Sequence, residues 1–334
     1  MTTVTERELS RLADELGLDA VGAAPASAYE RTESDIRERR DRGLFADMQF
    51  TMARPEVSCH PETLLAGART VVSAALCYYA AAPEQPPGTG RLPRYTWTDG
   101  YAELREKLDA LGRRLGGDYR VLVDENDHVD REAAVRAGVG FYGKNTLLIT
   151  RRHGSWVVLG TLVTDVAVEP TAPMPSGCGS CRLCVDACPT DALAEAGVLD
   201  ATKCLSYWTQ SRHEIPHEVR HALADRVYGC DICQDVCPWN RGVEKRRGGV
   251  AASGDAEPFV SLVEWLEAEA DELRARYGRL YVPRNDGRFL QRNALVAAAN
   301  AGGPAERDAA RAHLDDDVLG EVAAWAVDRI EARL

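Results

Sequence analysis

The 334-residue sequence has no long hydrophobic run and no excess of basic residues. Its longest nearly apolar stretch runs from Val71 to Pro83, which is too short for the ~20 residues that cross a bilayer. The first twenty residues hold five acids, which the apolar segment of a signal peptide would not contain. The net charge of −12 argues against non-specific binding of the whole surface to nucleic acid or anionic membranes. We therefore expect a cytoplasmic protein without membrane attachment.

The common nucleotide-binding signatures are also missing. No GxGxxG fingerprint follows a predicted strand, and no P-loop occurs. The Gly-rich segment AVRAGVGFYGKN (134–145) follows a predicted helix instead, and it indicates a loop whose backbone approaches another group closely. Nucleotide motifs therefore do not reveal what the protein acts on.

The first half of the chain alternates between strand and helix patterns. Strands are predicted at 20–26, 70–79, 119–124 and 155–163, and helices at 100–115 and 131–137. This alternation indicates an α/β (α+β) domain over residues 1–169.

The composition changes after residue 169. A Pro-rich linker occupies 170–177, and eight of the ten cysteines then fall between residues 178 and 237. Beyond residue 242 the chain becomes Ala-rich with helical spacing. We expect a ferredoxin-like module at 170–242 and a C-terminal tail of HEAT-like helical repeats at 243–334.

The first cysteine run has the spacing of bacterial ferredoxins. It reads C-x2-C-x2-C-x3-C-P from Cys178 to Pro189, and in two-cluster ferredoxins the fourth cysteine of such a run binds the other cluster. A second run, Cys230-x2-Cys233-x3-Cys237-Pro238, matches the last three positions of the same motif. Its first position is Val227, and Cys204 can replace the missing ligand.

Exchange of the fourth ligands between the two runs assigns every one of these thiolates to a [4Fe–4S] cluster. One cluster takes Cys178, Cys181, Cys184 and Cys237, and the other takes Cys188, Cys204, Cys230 and Cys233. A pair of structural zinc sites is the alternative, but zinc does not explain the two Cys-Pro ends. Cys77 lies in an apolar strand pattern and Cys59 in a loop, so neither is assigned to a cluster.

Six segments of the sequence together resemble the epoxyqueuosine reductase family. They are VD (123–124), DREAAVRAGVGFYGKNTLLIT (130–150), GSWVVLG (154–160), CGSCRLCVDACPT (178–190), CLSY (204–207) and YGCDICQDVCPWN (228–240). The cysteine runs alone would fit many ferredoxin-like enzymes, whereas the GKN segment and the last run are more specific.

The resemblance implies an oxidoreductase that converts epoxyqueuosine to queuosine in the anticodon loop of a tRNA. It implies two [4Fe–4S] clusters, a cobalamin cofactor and an external electron donor. The sequence has no D-x-H-x-x-G motif for a histidine ligand to cobalamin, which agrees with cobalamin bound without such a ligand. We expect a monomer, because no helix pattern shows an apolar face in search of a partner.

The resemblance also implies a proton donor, because removal of an epoxide oxygen needs one. Asp124, at the end of the YRVLVD strand pattern, matches the acid of the family's VD motif. Burial should raise the pKa of such an acid so that it keeps its proton near neutral pH. The alternative role for Asp124 is to cap a turn. Asp130 is the second candidate, although its position before a helix also suits an N-cap.

Further residues lie in segments that resemble the cofactor-facing parts of the family. They are Arg54, Tyr101, Lys144, Asn145, Thr146, Ser206 and Asp231. Each has a plainer alternative, such as a surface charge for Arg54, turn residues for Lys144 and Asn145, or a cap within the cluster loop for Asp231.

An Arg-rich segment is the candidate tRNA contact. Residues 274–292 hold six arginines and one acid, with Tyr277, Tyr281 and Phe289 among them. Arginines can contact phosphates and aromatic rings can stack on unpaired bases. A solvated helix face with core aromatics would have the same composition.

Two other functions remain open at this point. A reductive dehalogenase would share the combination of cobalamin and ferredoxin-like clusters, but it would not need the Arg-rich segment. An electron-transfer protein would need no cobalamin at all. Bound corrinoid and salt-dependent tRNA binding would separate these possibilities.

Overall fold

A computed structural model describes residues 3–248, 252 and 254–334, and the strands in this part of the chain form three sheets. The strands are β1 (Ala20–Pro25), β2 (Thr70–Cys77), β3 (Thr89–Arg91), β4 (Tyr119–Leu122), β5 (Gly140–Tyr142), β6 (Leu148–Thr150), β7 (Val157–Thr164) and β8 (Phe259–Ser261). The largest sheet has the order β1-β2-β7-β4, while β3 pairs with β8 and β5 with β6.

Sixteen α-helices occur among the described residues. They are α1 (Glu6–Glu15), α2 (Glu30–Asp41), α3 (Phe50–Ala53), α4 (Pro55–Ser58), α5 (Gly100–Leu115), α6 (Asp130–Arg136), α7 (Leu183–Asp186), α8 (Leu205–Gln210), α9 (His217–Leu223), α10 (Ile232–Asp235), α11 (Arg241–Arg247), α12 (Leu262–Glu267), α13 (Ala270–Arg276), α14 (Arg288–Ala301), α15 (Pro304–Arg311) and α16 (Gly320–Glu331). None of them is both long enough and apolar enough to cross a membrane.

The large sheet is antiparallel throughout, so the first domain is α+β rather than a parallel α/β fold. In β2, Thr70 pairs with Pro25 of β1 on one side and with Thr164 of β7 on the other. Strand β4 also runs antiparallel to β7. The predicted mixture of strands and helices is therefore confirmed, but their alternation did not reveal strand direction.

Helices cover both faces of this sheet. On one face, Val72 and Leu162 pack with the leucines of α1 and α5, and on the other, Val71 and Val163 pack with Ala133 of α6. Every residue of β2 is buried for this reason. Two-sided burial explains why β2 reads as a continuous apolar run instead of an alternating one.

Helix α5 begins and ends where its sequence predicts. The Asp99 side chain accepts a 2.9 Å hydrogen bond from the backbone N–H of Ala102 and caps the first turn. Gly116 follows the last residue with φ of 74°, a conformation that glycine adopts at little cost. Helix α5 thereby holds Tyr101, in its first turn, at a fixed place beside the sheet.

The C-terminal helices share one hydrophobic core with residues from much earlier in the chain. Leu92 and Trp97 pack in the same cluster as Trp265 and Leu295. Strand β3 joins β8 there, and a Cβ atom on Gly90 would lie only 2.3 Å from a methyl carbon of Val227. The N-terminal, cysteine-rich and C-terminal parts are therefore packed together closely enough to build one site between them.

Candidate catalytic cleft and cluster module

The GKN segment holds the two cysteine runs in place. The Lys144 ammonium donates hydrogen bonds of 2.7 Å to the carbonyl oxygen of Gly179 and 2.9 Å to that of Cys181. The Asn145 side chain donates at 3.4 Å to the carbonyl oxygen of Cys233. One loop residue therefore contacts the first run and its neighbour contacts the second, which positions the two runs against each other.

The glycines before this lysine do not form a nucleotide site. Gly138, Gly140 and Gly143 have GxGxxG spacing, but they follow α6 and build the β5–β6 hairpin. A dinucleotide fingerprint would instead join a strand to the beginning of a helix.

Four of the cysteines form one neighbourhood. Burial raises the pKa of the Cys184 thiol, and the nearby charges of Cys237 and Cys178 raise it further. Burial raises the pKa of the Cys237 thiol, and the charges of Cys178 and Cys181 also raise it. These four residues are the ones that the crossed ligand exchange assigns to one cluster.

The other cysteines form a second neighbourhood beside it. Burial raises the pKa of the Cys233 thiol, and the charges of Cys230 and Cys204 raise it further. Burial also raises the pKa of Cys204, and the charge of Cys188 adds to the rise. Cys184 also raises the pKa of Cys233, so the two neighbourhoods adjoin there.

The spacing of these thiols is wider than that of ligands to one ion. Among the described residues, no three His, Cys, Asp or Glu side chains are grouped closely enough to hold a single metal ion. A cubane separates its four cysteine sulfurs more widely, because each sulfur binds a different iron atom.

Asp124 lies just beyond β4. Its side chain is exposed, yet the surrounding protein raises the pKa of its carboxyl, with Glu125 adding to the rise and Arg105 opposing it. The backbone at Asp124 has φ of 57°, and Arg105 donates a 2.7 Å hydrogen bond to the carbonyl oxygen of Val123. A group that reaches solvent and is still desolvated lies in a concave part of the surface.

Asp130 lies beside Asp124 and holds its proton more strongly. Burial, followed by the charge of Asp124, raises the pKa of Asp130 to about 8, while a 3.4 Å hydrogen bond from the Thr161 hydroxyl opposes the rise. Asp130 is the first residue of α6, and Val129 occupies the N-cap position, so the predicted N-cap role was wrong. The two candidate acids of the sequence therefore form one interacting pair.

The shifted pKa of Asp130 makes a prediction about stability. Because the pKa is raised from 3.8 to about 8 in the folded protein, the stabilisation associated with protonated Asp130 should be lost progressively between about pH 4 and about pH 8. Asp130→Asn should remove this loss, so its thermal unfolding midpoint should rise relative to the original protein as the pH increases over that range. Anaerobic thermal unfolding at a series of pH values measures this. A difference that does not change with pH would mean that Asp130 ionises normally.

Tyrosines from three parts of the chain surround Asp124. Burial raises the pKa of both Tyr101 and Tyr228, and the charge of Asp124 contributes to each rise. The Tyr95 ring packs edge-on against Tyr101 with centroids 6.5 Å apart. The Tyr228 hydroxyl lies 3.1 Å from the carbonyl oxygen of Tyr281. Here the first domain, the cysteine-rich part and the C-terminal part meet, and we call this region the Asp124 cleft.

Two further residues of this cleft were not nominated from the sequence. Arg131 lowers the pKa of Tyr101, Asp130 and Tyr142, so its guanidinium is close to all three. It is exposed and makes no hydrogen bond or ion pair to another described residue. Tyr142 is 39% exposed on the β5 strand. Both belong to segment 130–150, but only the proximity of Arg131 to Asp130, Tyr101 and Tyr142 distinguishes them from ordinary surface residues.

Two more of the predicted cofactor contacts have partners within the protein. Arg54 forms a 3.0 Å ion pair with Asp127, in the loop that follows Asp124. Asp231 accepts hydrogen bonds from the backbone N–H of Arg94 at 2.8 Å and from the Gln234 side chain at 2.9 Å. Asp231 occupies the N-cap position of α10 but makes no capping hydrogen bond, so the predicted cap is not observed, and Arg54 is a neighbour of the loop after Asp124.

The remaining two predicted contacts lie near the loops already described. The Ser206 hydroxyl accepts a 3.1 Å hydrogen bond from Gln210, and the backbone N–H of Ser206 points to the Cys204 sulfur. Thr146 follows Asn145 with φ of 66°, a backbone conformation that β-branched residues rarely adopt. Their roles stay predictions.

Part of the Arg-rich segment is buried or paired within the protein. Tyr277 is fully buried, and Phe289 and Arg292 are also buried. The Arg292 guanidinium donates to the carbonyl oxygens of Ser211 at 2.7 Å and His213 at 2.9 Å. Other arginines of the segment pair with acids, namely Arg276 and Arg279 with Glu257 and Arg288 with Asp286 and Asp317. The composition of the segment therefore reflects internal packing to a large extent.

Known proteins resemble this chain over nearly its whole length. Residues 177–240 match a family model described as a 4Fe-4S double cluster binding domain, and residues 59–126 match one described as epoxyqueuosine reductase QueG, DUF1730. The epoxyqueuosine reductase of Lactococcus garvieae is 33% identical over 340 residues, which cover 98% of this chain and 96% of that protein. This chain belongs to the epoxyqueuosine reductase family. The resemblance noted from its motifs is thereby confirmed.

Solved epoxyqueuosine reductases share the fold. The structure of the Streptococcus thermophilus enzyme covers 98% of this chain and 90% of its own, with a TM-score of 0.87 and 30% identity. A crystal structure of an epoxyqueuosine reductase with an epoxyqueuosine-modified tyrosine tRNA stem loop covers 97% of this chain and 90% of its own, with a TM-score of 0.85 and 30% identity. As a member of the epoxyqueuosine reductase family, the chain is an oxidoreductase with a mixed α/β fold and a 4Fe–4S domain.

Proposed function

We propose that this protein reduces epoxyqueuosine to queuosine in the anticodon loop of a tRNA. The observation that carries the proposal is the Asp124 cleft, where an acid pair of the first domain meets Tyr228, two residues before the cluster ligand Cys230. Conversion of an epoxide to an alkene consumes two electrons and two protons and releases water. The cleft brings proton-holding groups next to the module that delivers electrons, as this reaction requires.

The electrons would pass through two [4Fe–4S] clusters with crossed ligands. One cluster is bound by Cys178, Cys181, Cys184 and Cys237, and the other by Cys188, Cys204, Cys230 and Cys233. The two neighbourhoods described above support this division, because each set contains the cysteines whose charges act on one another. An external donor supplies the electrons, and the clusters relay them one at a time.

The cleft fits a large polar cofactor such as cobalamin. Tyr101, Tyr142 and Asp124 all keep some contact with solvent, while the surrounding protein desolvates them and raises their pKa values. Tyr101, Tyr142, Arg131 and Thr146 would hold the cofactor there. When bound, cobalamin supplies a strongly reducing metal centre that is able to attack an epoxide carbon.

The acid pair would supply protons. Asp124 is the more exposed of the two, so it is the group that contacts the substrate. Asp130 keeps its proton up to about pH 8 and lies close enough to raise the cost of ionising both carboxyls together. We assign proton donation to Asp124, whose own pKa is raised, and Asp130 stays a neutral acid beside it up to about pH 8.

The proposal also includes the location, the oligomeric state and the domain organisation of the protein. The protein acts in the cytoplasm as a monomer. Residues 1–169 form the cofactor-binding domain, 170–242 the ferredoxin-like module and 243–334 a tail of HEAT-like repeats. Helices α14, α15 and α16 pack on one another and are joined by short connections, which suits such a repeat.

Anaerobic purification with cobalamin, followed by iron and corrinoid analysis and a tRNA assay, tests the function. We expect about eight irons and one corrinoid per chain. With a chemical reductant, epoxyqueuosine in a tRNA stem loop should lose one oxygen atom, as mass spectrometry of the released nucleoside would show. Eight irons with no corrinoid after reconstitution, and no conversion, would overturn the proposal in favour of an electron-transfer protein.

A further inference from the structure

Two exposed aromatic side chains, Phe50 and Tyr281, pair on the surface of the protein. Phe50 is 39% exposed and Tyr281 is 51% exposed, and their ring centroids lie 5.6 Å apart in an edge-on arrangement. The two residues are 231 positions apart in the sequence, in α3 and in the loop after α13. Each ring therefore keeps an open face, although edge-on contact fixes its orientation.

This pair is connected to the catalytic cleft through the backbone of Tyr281. The Tyr281 carbonyl oxygen lies 3.1 Å from the Tyr228 hydroxyl, and Tyr228 is one of the tyrosines that senses the charge of Asp124. On the other side, the segment that carries Phe50 is tied to the cysteine-rich part. Asp47 accepts hydrogen bonds from the Tyr207 hydroxyl at 2.7 Å and from His213 at 3.0 Å.

Exposed cations accompany both rings. Arg284 follows Tyr281 by three residues, is exposed, and forms no ion pair or hydrogen bond with any of residues 3–248, 252 and 254–334. Arg54 follows Phe50 by four residues and keeps 65% of its side chain exposed beside Asp127. Aromatic faces flanked by cations match an unpaired nucleotide, whose base can stack while its phosphate is neutralised.

We propose that Phe50 and Tyr281 form a stacking platform for an unpaired base of the RNA substrate next to the modified nucleoside, and that Arg284 contacts a neighbouring phosphate. This inference rests on the proposed function and adds the residues that recognise the loop. Of the Arg-rich segment, Tyr281 is the exposed aromatic residue, and Arg284 is an exposed cation that makes no hydrogen bond or ion pair with a described residue, although its charge lowers the pKa of Asp286. The proposed platform therefore uses Tyr281 and Arg284, two residues of the Arg-rich segment that are exposed to solvent.

Substitutions at Tyr281 separate stacking from simple apolar contact. Tyr281→Phe keeps an aromatic face, whereas Tyr281→Leu keeps apolar bulk that can still pack on Phe50. If a base stacks on the ring, Tyr281→Leu should weaken binding of a tRNA stem loop roughly 5- to 100-fold, and Tyr281→Phe should stay near the original affinity. Arg284→Ala should weaken binding and reduce the slope of log affinity against log salt by about 1.

The measurement is the dissociation constant of an epoxyqueuosine-modified stem loop, together with kcat and KM. Leu314→Ala is the matched control, because Leu314 is an equally exposed apolar residue (43%) in the connection between α15 and α16. The platform predicts an effect on KM and affinity with little change in kcat. Unchanged affinity in both Tyr281→Leu and Phe50→Leu, in an otherwise active protein, would overturn the inference. Failure of the original protein to bind or convert the stem loop would instead overturn the proposed function.

Discussion

Replacement of Asp124 by Asn is expected to lower the turnover number roughly 10²- to 10⁴-fold, the usual cost of losing a positioned proton donor. Asn keeps the shape of the side chain but cannot give up a proton at the same point of the reaction. The affinity for the tRNA stem loop and the iron content should be unchanged, because Asp124 makes no contact with the platform or with the cysteines. Single-turnover assays with fully loaded protein measure the chemical step directly.

The rival assignment is tested in the same assay with Asp130→Asn. If Asp124 is the donor, Asp130→Asn should lower turnover less than Asp124→Asn. It should leave the alkaline limb of the pH profile nearly unchanged, because Asp130 keeps its proton up to about pH 8 and is already neutral, like Asn, while Asp124 ionises. A larger loss in Asp130→Asn than in Asp124→Asn would reverse the roles. Asp127→Asn, in the same loop, controls for disturbance of the Arg54 contact.

Double cysteine substitutions should reveal which thiolates share a cluster. Cys178→Ala with Cys237→Ala removes two ligands of one proposed cluster, so the protein should keep about four irons. Cys178→Ala with Cys188→Ala removes one ligand from each cluster, so it should keep close to none. Both proteins should lose all turnover, because either gap interrupts the electron path. Iron analysis and electron paramagnetic resonance of the reduced proteins measure the outcome.

The comparison is matched because both proteins carry two Cys→Ala changes and share one of them. If each cluster were bound by a single cysteine run, the results would be exchanged: the Cys178/Cys188 pair would retain four irons and the Cys178/Cys237 pair would lose them. Cys77→Ala is the control for loss of a cysteine outside the module, because Cys77 is buried in β2. The Cys77→Ala protein should keep the full iron content.

The motifs with local chemistry could be read from the sequence almost completely. The division of eight cysteines into two sets follows from spacing and the ferredoxin rule, and the neighbourhoods in the structure support it. Helix α5 spans the predicted residues, because its cap, its leucine spacing and its final glycine all lie close together in the chain. Such signals are local, so one sequence is enough to show them.

Features that depend on distant contacts were predicted less well. Strand direction in the large sheet is set by the path of the connections, and alternation of strands and helices does not encode it. Tyr277 and Arg292 look like RNA contacts by composition, yet both are buried. Composition cannot say which side of a helix faces the core when arginines and aromatics occur on both.

The sequence by itself determined the cluster chemistry, the family and the acids to consider, because each is carried by residues at short, recognisable spacings. Only the tertiary structure decided how these parts converge. Asp124, Tyr228 and Tyr281 come from three distant segments, and Arg131 and Phe50 gain their meaning from neighbours far away in the chain. The physical reason is that a cleft is built by packing of separate elements around a shared core, which no local pattern records.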